Sequence, residues 1–510
     1  MKKSKISILF LFLVMILAIS AVSAADTNDT SDSAVQAVDE APIEEVASED
    51  VDAVAATDNT DVLAADGDGN FTELQNSIDS SGTVIMSKDY TRVEGESTLS
   101  ITKDVTLLGN NQKIDGNNLG GIFNVNSGCT LTLMGVTLIN GNAENGGAIY
   151  NNGGTLTIVN SNFLNNTATK SGGAIYNDGG SITVTGSTFD GNDLTDRSVN
   201  GYGGAAIYTK NGDVLISTST ISNNLKDIVH RGGTGAYTGD LSSAAVTNKN
   251  GALTVTDSTF ESNSGSYGGA ILSDGSSSNL IVSGSTFNNN FAFNGGAIYC
   301  PDGNYYISES NFTGNKVRGT GSSNSNNANG GAIAATESDE CIISDCIFKD
   351  NSATMGGAIS TTNTQVVGCT FINNTAQSAY SETFNGKTNN RGGMGGATYS
   401  DSIMTITGST FVNNTSRSDA VYIRQGSITD SSFTNTIIAP NRGPLTISNN
   451  TYDNAGADII GGNSPSVYFD GVGDVPYVST AKVYYDATSF ADLQAMIDSL
   501  NKTYGEQFEQ

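Results

Sequence analysis

Three short pieces of sequence recur in fixed order along most of this chain, and that recurrence constrains its fold more than any other feature. Asn145-Gly146-Gly147-Ala148-Ile149-Tyr150-Asn151 is followed by the alternating run Thr155-Leu156-Thr157-Ile158-Val159, then by Asn160-Ser161-Asn162-Phe163-Leu164-Asn165-Asn166. The same order returns as Gly172-Gly173-Ala174-Ile175-Tyr176, Ile182-Thr183-Val184 and Ser187-Thr188-Phe189-Asp190-Gly191-Asn192. A period of roughly 25 residues is the mark of a solenoid, in which each unit buries its apolar face only against its neighbours.

Within each repeat, apolar and polar residues alternate, which is the period of a strand and not of a helix. Three short strands fit one coil, through Gly-Gly-Ala-Ile-Tyr, through the Leu-Thr-Ile type run and through Ser-Thr-Phe. Turn formers separate them: Asn152-Gly153, Asp178-Gly179, Asn211-Gly212, Asn250-Gly251 and Asp302-Gly303 lie between the first and second strands. Between the second and third, one position alternates among Asn160, Gly186, Asp257, Gly284, Asp345, Gly368, Gly408 and Asp430. Gly, Asn and Asp tolerate a left-handed backbone at least cost, so these carboxylates are read first as turn residues.

The third strand gives the clearest register. Phe163, Phe189, Phe260, Phe287, Phe312, Phe348, Phe371 and Phe411 each have Asn three residues later, and Ile221 with Asn224 takes the same place once. Stacking predicts a column of buried rings, each contributing on the order of 2 kcal/mol, beside a ladder of Asn side chains. The Ala of Gly-Gly-Ala is expected to point inward where nothing larger fits. About twelve coils fall between Leu138 and Tyr452, with two less regular ones before them near Val105-Leu107 and Ile122-Val125. At the spacing of β-strands the shaft is about 60 Å long, and the hand of crossover connections predicts a right-handed winding.

The rest of the chain is assigned around this shaft. Its 510 residues would ordinarily imply several domains, but the repeat overrides that prior. Met1-Lys2-Lys3-Ser4-Lys5, an apolar run from Ile6 to Ile19, and Val22-Ser23-Ala24 have the order of a signal peptide, residues 1–24. No later stretch approaches the ~20 apolar residues of a membrane-spanning helix. Residues 25–68 are rich in Ala, Asp, Glu and Val, with no Lys or Arg before Asp66, and read as an acidic disordered spacer. Phe71, Leu74 and Ile78 mark one face of a short capping helix at the start of the β-solenoid, residues 69–470. In residues 471–510 and just before them the pattern decays: Ser466-Val467-Tyr468-Phe469 and Val483-Tyr484-Tyr485 read as strands outside the regular coil. Phe490 to Asp498 then echoes the cap helix.

Phe-x-x-Asn together with Gly-Gly-Ala-Ile resembles the polymorphic outer membrane protein repeats of surface autotransporters. The fuller Asn-Gly-Gly-Ala-Ile-Tyr-Asn and Ser-Thr-Phe-x-Asn-Asn-Thr-Ala pattern, with the leader and acidic spacer, is more similar to adhesin-like proteins of methanogenic archaea. Covering residues 70 to 470, the resemblance implies an all-β, right-handed, single-stranded parallel β-helix of the pectin-lyase-like kind. It further implies a secreted or cell-surface adhesin, although this fold also hosts lyases and hydrolases. The autotransporter resemblance alone would imply a C-terminal membrane barrel, for which this sequence has no counterpart.

Where the repeat is interrupted is informative about function. Extra residues collect at one place, after Phe-x-x-Asn and before the next Gly-Gly-Ala, in four long connections: Asp193 to Tyr202, Leu225 to Leu241, Lys316 to Asn329 and Thr375 to Met394. Insertions at one point of a repeat project from one face, often the binding face. The same connection, short or long, holds Lys170, Lys226, Lys316, Lys387, Arg417 and the single His230, together with Tyr267, Phe291, Phe293 and Phe384. Arg and Tyr on loops held by a rigid scaffold compose a recognition surface. Arg197, Tyr202, Arg231, Tyr237, Arg318, Tyr380 and Arg391 are therefore the ligand-binding candidates, toward cell-surface glycans or proteins. The plainer alternative is a set of polar surface loops that merely accumulate charge.

Chemistry is largely absent. Glycan-cleaving enzymes need paired carboxylates; Asp-Asp is missing, and the nearest cluster, Glu337, Asp339 and Glu340, suits a solvated turn. No Gly-x-Ser-x-Gly elbow accompanies His230. Five cysteines are too few for a disulfide framework, and Cys129, Cys300 and Cys341 lack metal-ligand spacing, so no metal or cofactor is expected. Cys346 and Cys369 take the Ser slot two before Phe in consecutive coils and read as buried thiols more readily than as a disulfide. A net charge of -29 argues against nucleic acid and for solubility. Asn165, Asn311, Asn373, Asn413 and Asn449 match the N-glycosylation pattern, expected where the third strand ends. The expectation is a non-enzymatic surface adhesin; a polysaccharide lyase or glycoside hydrolase on the same fold, and a structural cell-wall component, are the alternatives.

Overall fold

The computed structural model describes residues 69–195, 203–225, 243–317, 329–337, 341–384, 387–416 and 420–434, with shorter runs between 436 and 498. The expected signal peptide and spacer lie outside the described residues; of the C-terminal echo only Asp498 is described. Among described residues no helix is long and apolar enough to cross a membrane.

The fold is a parallel β-helix. The first and second strands of every coil join one 29-stranded sheet and the third strands form a 14-stranded sheet. Twelve of its fourteen members are the coils expected between Leu138 and Tyr452; of the two before them, Lys113–Asp115 belongs to the expected coil of Val105–Leu107 and Tyr90–Thr91 to one that was not expected, whereas Ile122–Val125 is no separate coil but carries the first strand of the coil of Leu138. The pairings in both are parallel and in register: Ile149 pairs with Ile175 and Ile175 with Ile207, while Phe163 pairs with Phe189 and Phe189 with Ile221. Alternation along each strand then sends one apolar set inward, so that Leu156, Ile158, Ile182, Val184 and the third-strand rings share a single continuous core. Neighbouring rings stack with almost parallel planes, from 4.4 Å between Phe163 and Phe189 to 5.0 Å between Phe260 and Phe287. The column runs on to Phe433, 4.9 Å from Phe411.

Corners obey the residue chemistry. All eight residues of the alternating turn position have positive φ, from 48° at Asn160 to 63° at Gly368. Thr218 and Glu309 fill the same corner with φ of 45° and 50°, so the stack imposes the conformation even on residues that disfavour it. In Gly-Gly-Ala the two glycines differ. The first is left-handed, as at Gly295 (φ 59°), whereas a Cβ on the second, Gly296, would sit on the Gly331 carbonyl oxygen of the following coil and 2.8 Å from Lys316 N. The pair is therefore a corner, and the first strand begins only at Ile149 or its equivalents.

Columns of polar side chains line the interior. The carboxamides of Asn166, Asn192, Asn224, Asn263, Asn290, Asn315, Asn351, Asn374 and Asn414 form one ladder, each Nδ2 donating to the Oδ1 of the next at 2.9–3.1 Å. Each Oδ1 also accepts a backbone N–H of the preceding coil, from Gly141 at Asn166 and from the preceding Asn at the others, and each Nδ2 also donates to a carbonyl of the coil before, as Asn290 does to Phe260 O at 3.0 Å. Burial is thus matched by complete hydrogen bonding. In the second column Ser187 Oγ accepts from Ser161 N and donates to Thr185 O, and Cys346 and Cys369 occupy the same slot as free, buried thiols. Burial and their mutual contact push the Cys346 thiol far up, the Cys369 contact being the larger cause.

The helix expected at the start is Phe71–Ser80, here α1, with Phe71, Leu74 and Ile78 buried. Asn70 caps it through Glu73 N, and Gln75 binds the edge strand directly: its Oε1 accepts from Ser100 N at 2.8 Å and its Nε2 donates to Ser100 O at 3.1 Å. An open sheet edge is closed by a side chain that imitates a strand.

Three expectations need correction. The connection after Phe-x-x-Asn opens with a fourth short strand in many coils, forming separate ladders at Asn142–Asn145, Thr167–Ser171 and Asp193–Leu194, and at Phe291–Ala292, Lys316–Val317, Ser352–Ala353 and Thr375–Ala376. These strands are too short to show periodicity, so only the stack reveals them. Ser466–Asp470 and Lys482–Asp486 do not stand outside the coil; they pair in parallel with each other and continue the large sheet from Leu445–Ser448, past residue 470. Of the glycosylation matches, Asn165, Asn373 and Asn413 sit at the corner after the third strand, but Asn311 lies within that strand and Asn449 precedes it. All five are exposed, while the second Asn of each Asn-Asn pair is buried.

Candidate functional site

The four long connections leave and return along one edge of the coil. On the leaving side, Leu194 pairs with Ala168, Leu225 N donates to Asn192 O, Lys316 pairs with Phe291, and Gln377 N donates to Ala353 O. On the return side, Gly203 bridges Ser171, Asn329 bridges Met355, Met355 bridges Met394, and Gly393 N donates to Thr354 O. The fourth strand is one border of this edge and the left-handed glycine corner is the other. A small second core of Ala168, Leu194, Ala205 and Leu225 lies beneath its first part.

Arg197, Tyr202, Arg231, Tyr237 and Arg318 lie outside the described residues. Tyr380 and Arg391 are described in backbone and are brought together. Ser378–Phe384 and Lys387–Gly392 form an antiparallel hairpin, the one antiparallel pairing among the described strands, with Tyr380 directly opposite Arg391. Glu337 is described only in backbone, and residues 338–340 and His230 lie outside.

Along the short connections the side chains are visible. Lys170 pairs with Glu144 of the preceding coil at 2.6 Å, an exposed ion pair of small net worth. Three coils further along the edge, half-buried aromatic rings gather. Tyr267 stacks on Tyr299 with centroids 5.1 Å apart and planes at 29°, and Phe291 meets Phe293 edge to face at 6.5 Å and 67°. Burial, helped by Tyr267 and Asp274, pushes the Tyr299 hydroxyl up to about 12 against an opposing hydrogen bond with Thr336. The sequence places Tyr267, Phe291 and Phe293 in these connections but not Tyr299 beside them; the signal was Phe291 and Phe293 in a connection whose other residues are Ala292 and Asn294. A further outward stack, Tyr150, Tyr176 and Tyr208 at 5.2 Å, runs along the first strands.

Among the described residues no group of three His, Cys, Asp or Glu is placed to hold a metal ion. The buried thiols and the buried Tyr305 hydroxyl, which shares a 2.8 Å hydrogen bond with Thr364 Oγ1, belong to the core.

Residues 160–178 and 284–301 match the sequence model of the Chlamydia polymorphic membrane protein repeat. Both segments start at the left-handed corner before a third strand and end in the next coil's first strand or just beyond, so each contains one short connection. No curated protein and no solved structure matches the chain significantly. Over these two coils the chain is similar to a repeat of polymorphic membrane proteins.

Proposed function

We propose that the chain is a secreted or cell-surface adhesin-like protein, non-enzymatic, that presents the decorated edge of a rigid β-helix to glycans or proteins of another surface. The observation that carries this reading is the common edge: four insertions of unequal length share one leaving column and one return column, while the third strands stack in register throughout. A scaffold that gathers its long insertions at one edge is a display device. The similarity of two coils to a polymorphic membrane protein repeat supports a place at the cell surface. The finer likeness to adhesin-like proteins of methanogenic archaea rests on the sequence pattern, as do a signal peptide at residues 1–24, an acidic spacer at 25–68 and glycosylation at the five exposed Asn residues.

Replacing Arg197, Arg231, Arg318 and Arg391 together with Ser is expected to abolish binding of the exported chain to cells or to arrayed surface glycans without changing its thermal unfolding. Binding that survives would refute the recognition edge and favour a purely structural wall component. Turnover of any polysaccharide by the purified chain would refute the non-enzymatic reading.

A further inference from the structure

We infer that the outward face of the second strands docks a second copy of this chain, laid parallel to the first about a two-fold axis running along the shaft. No long connection enters this face, so the inference goes beyond the recognition edge and does not depend on it.

The second strands of all fourteen coils stack in register, from Thr83–Ile85 to Leu445–Ser448. Alternation turns two columns outward, one running from Thr83 to Thr446 and the other from Ile85 to Ser448, and every member is exposed or partly exposed. Thr, Ser and aliphatic residues fill nearly all of both columns. None of them is charged, in a chain of net charge -29. The third-strand face differs: Lys113, Asp115, Asp190, Glu261 and Lys349 all stand on its outward side. Of the seven large apolar side chains exposed among the described residues, Ile85, Met134, Val367 and Ile403 belong to the second-strand face, and Ile85 is 69% exposed. Proteins ordinarily keep exposed strands from associating with charged side chains, and these two columns have none.

The order of residue sizes selects the occupant. In every coil but that of Gln365 and Val367, at least one of the two outward residues is Thr or Ser. Thr132 stands beside Met134, Leu215 beside Ser217, Ile281 beside Ser283 and Ile342 beside Ser344. A two-fold axis along the shaft lays the first column of one copy on the second column of its partner at equal height. Met134 then meets Thr132, and Leu215 meets Ser217, so that large side chains enter the space left by small ones. With the axis across the shaft instead, centred on the same strip, Leu215 meets Tyr306 and two bulky side chains collide.

The area is sufficient. Fourteen strand spacings by two columns give a strip of about 65 Å by 13 Å. That is about 800 Å² on each copy, the size of a standard stable interface. Carboxylates border the strip, Asp104 and Asp213 before the strands and Asp257, Glu309, Asp345 and Asp430 at the corner after them. Like charges on both margins repel a second copy, so association should tighten as salt screens them.

Sedimentation of the full chain tests this, up to about 100 µM and at low and at ~0.5 M NaCl. A dimer favoured by salt is expected. T183K/T185K should weaken it at least tenfold with unchanged thermal unfolding, although the substitution lowers the net negative charge; T183E/T185E should do the same. Mixing the two variants should restore a dimer, because these residues face their own counterparts only in the parallel arrangement. T286K, on the outward third-strand face, should change nothing. A monomer under every condition, or a dimer indifferent to T183K/T185K, overturns the docking face; variants that each dissociate but fail to pair when mixed overturn the parallel arrangement. The adhesin reading stands apart, since it is tested by cell binding of the four-Arg variant and not by self-association.

Discussion

Removing one rung of the Asn ladder should cost far more than removing any single contact on the surface. Take Asn290→Ala. In the native chain Asn290 Oδ1 accepts from Asn263 N and Asn263 Nδ2, both at 3.1 Å, and its Nδ2 donates to Asn315 Oδ1 and to Phe260 O, both at 3.0 Å. Alanine leaves the Asn263 N–H, one Asn263 Nδ2 hydrogen and the Phe260 carbonyl without this partner, all buried. Asn315 Oδ1 keeps its bond from Asn290 N. Each buried orphan costs about 1–3 kcal/mol, so with three of them the substitution should destabilise by about 3–9 kcal/mol. Urea unfolding followed by far-ultraviolet circular dichroism measures the loss, and hydrogen exchange should show the Asn263 amide losing protection first. Because coils interact mainly with their neighbours, the exchange readout stays valid if unfolding departs from two states. Asn290→Asp keeps the acceptor but sets a carboxylate against Asn315 Oδ1 and Phe260 O. It should be at least as damaging near neutral pH and should recover partly on acidification, which restores a donor. A loss below about 2 kcal/mol, or one equal to that of the outward control Thr286→Ala, would refute the claim that the ladder stabilises the shaft by satisfying buried groups.

Two further outcomes test the corners and the cap. Gly296→Ala should prevent folding or greatly lower the thermal midpoint, because the methyl meets the Gly331 carbonyl of the next coil; Gly179→Ala, with φ 78° and nothing within 4 Å, should cost only ~1–2 kcal/mol of left-handed strain. Similar losses at both sites would refute the close-approach argument. At the cap, burial works to raise the Glu96 carboxyl, but hydrogen bonds from Val93 N, Thr72 N, Thr72 Oγ1 and Phe71 N outweigh it and hold the group below its ordinary 4.5. A depressed carboxylate contributes stability that is present above that ordinary value and is lost as pH falls through the folded one. The α1 amides of the wild type should therefore lose exchange protection on acidification below pH ~4.5, and Glu96→Gln should flatten that dependence; an unchanged pH profile in the variant would refute the assignment.

Much of the scaffold was legible because its rules act residue by residue. Asn160, Asp257 and Asp345 announce a left-handed corner by their own chemistry, and Phe-x-x-Asn carries both a ring and a rung. Thr218 and Glu309 could not announce theirs, since the neighbouring coils impose it. The fourth strand was hidden because Lys316–Val317 or Ser352–Ala353 are too brief to alternate. The hairpin from Ser378 to Gly392 was hidden because its second arm, Lys387–Gly392, has no apolar residue to alternate. At the edge, the common departure and return of the long connections could be read from where the repeat lengthens. The aromatic cluster could not, because it depends on a pairing of rings from different coils, Tyr267 with Tyr299, that only the stack creates.

The carboxamide ladder also has a direction. Every rung hands its hydrogen forward and offers its oxygen backward, so each interior coil presents the same socket and the same plug. Duplicating or excising a whole coil would restore the joint intact, whereas a cut within a coil would strand donors on one side. Reach is therefore a quantity this architecture can change in whole-coil steps without redesigning any neighbour.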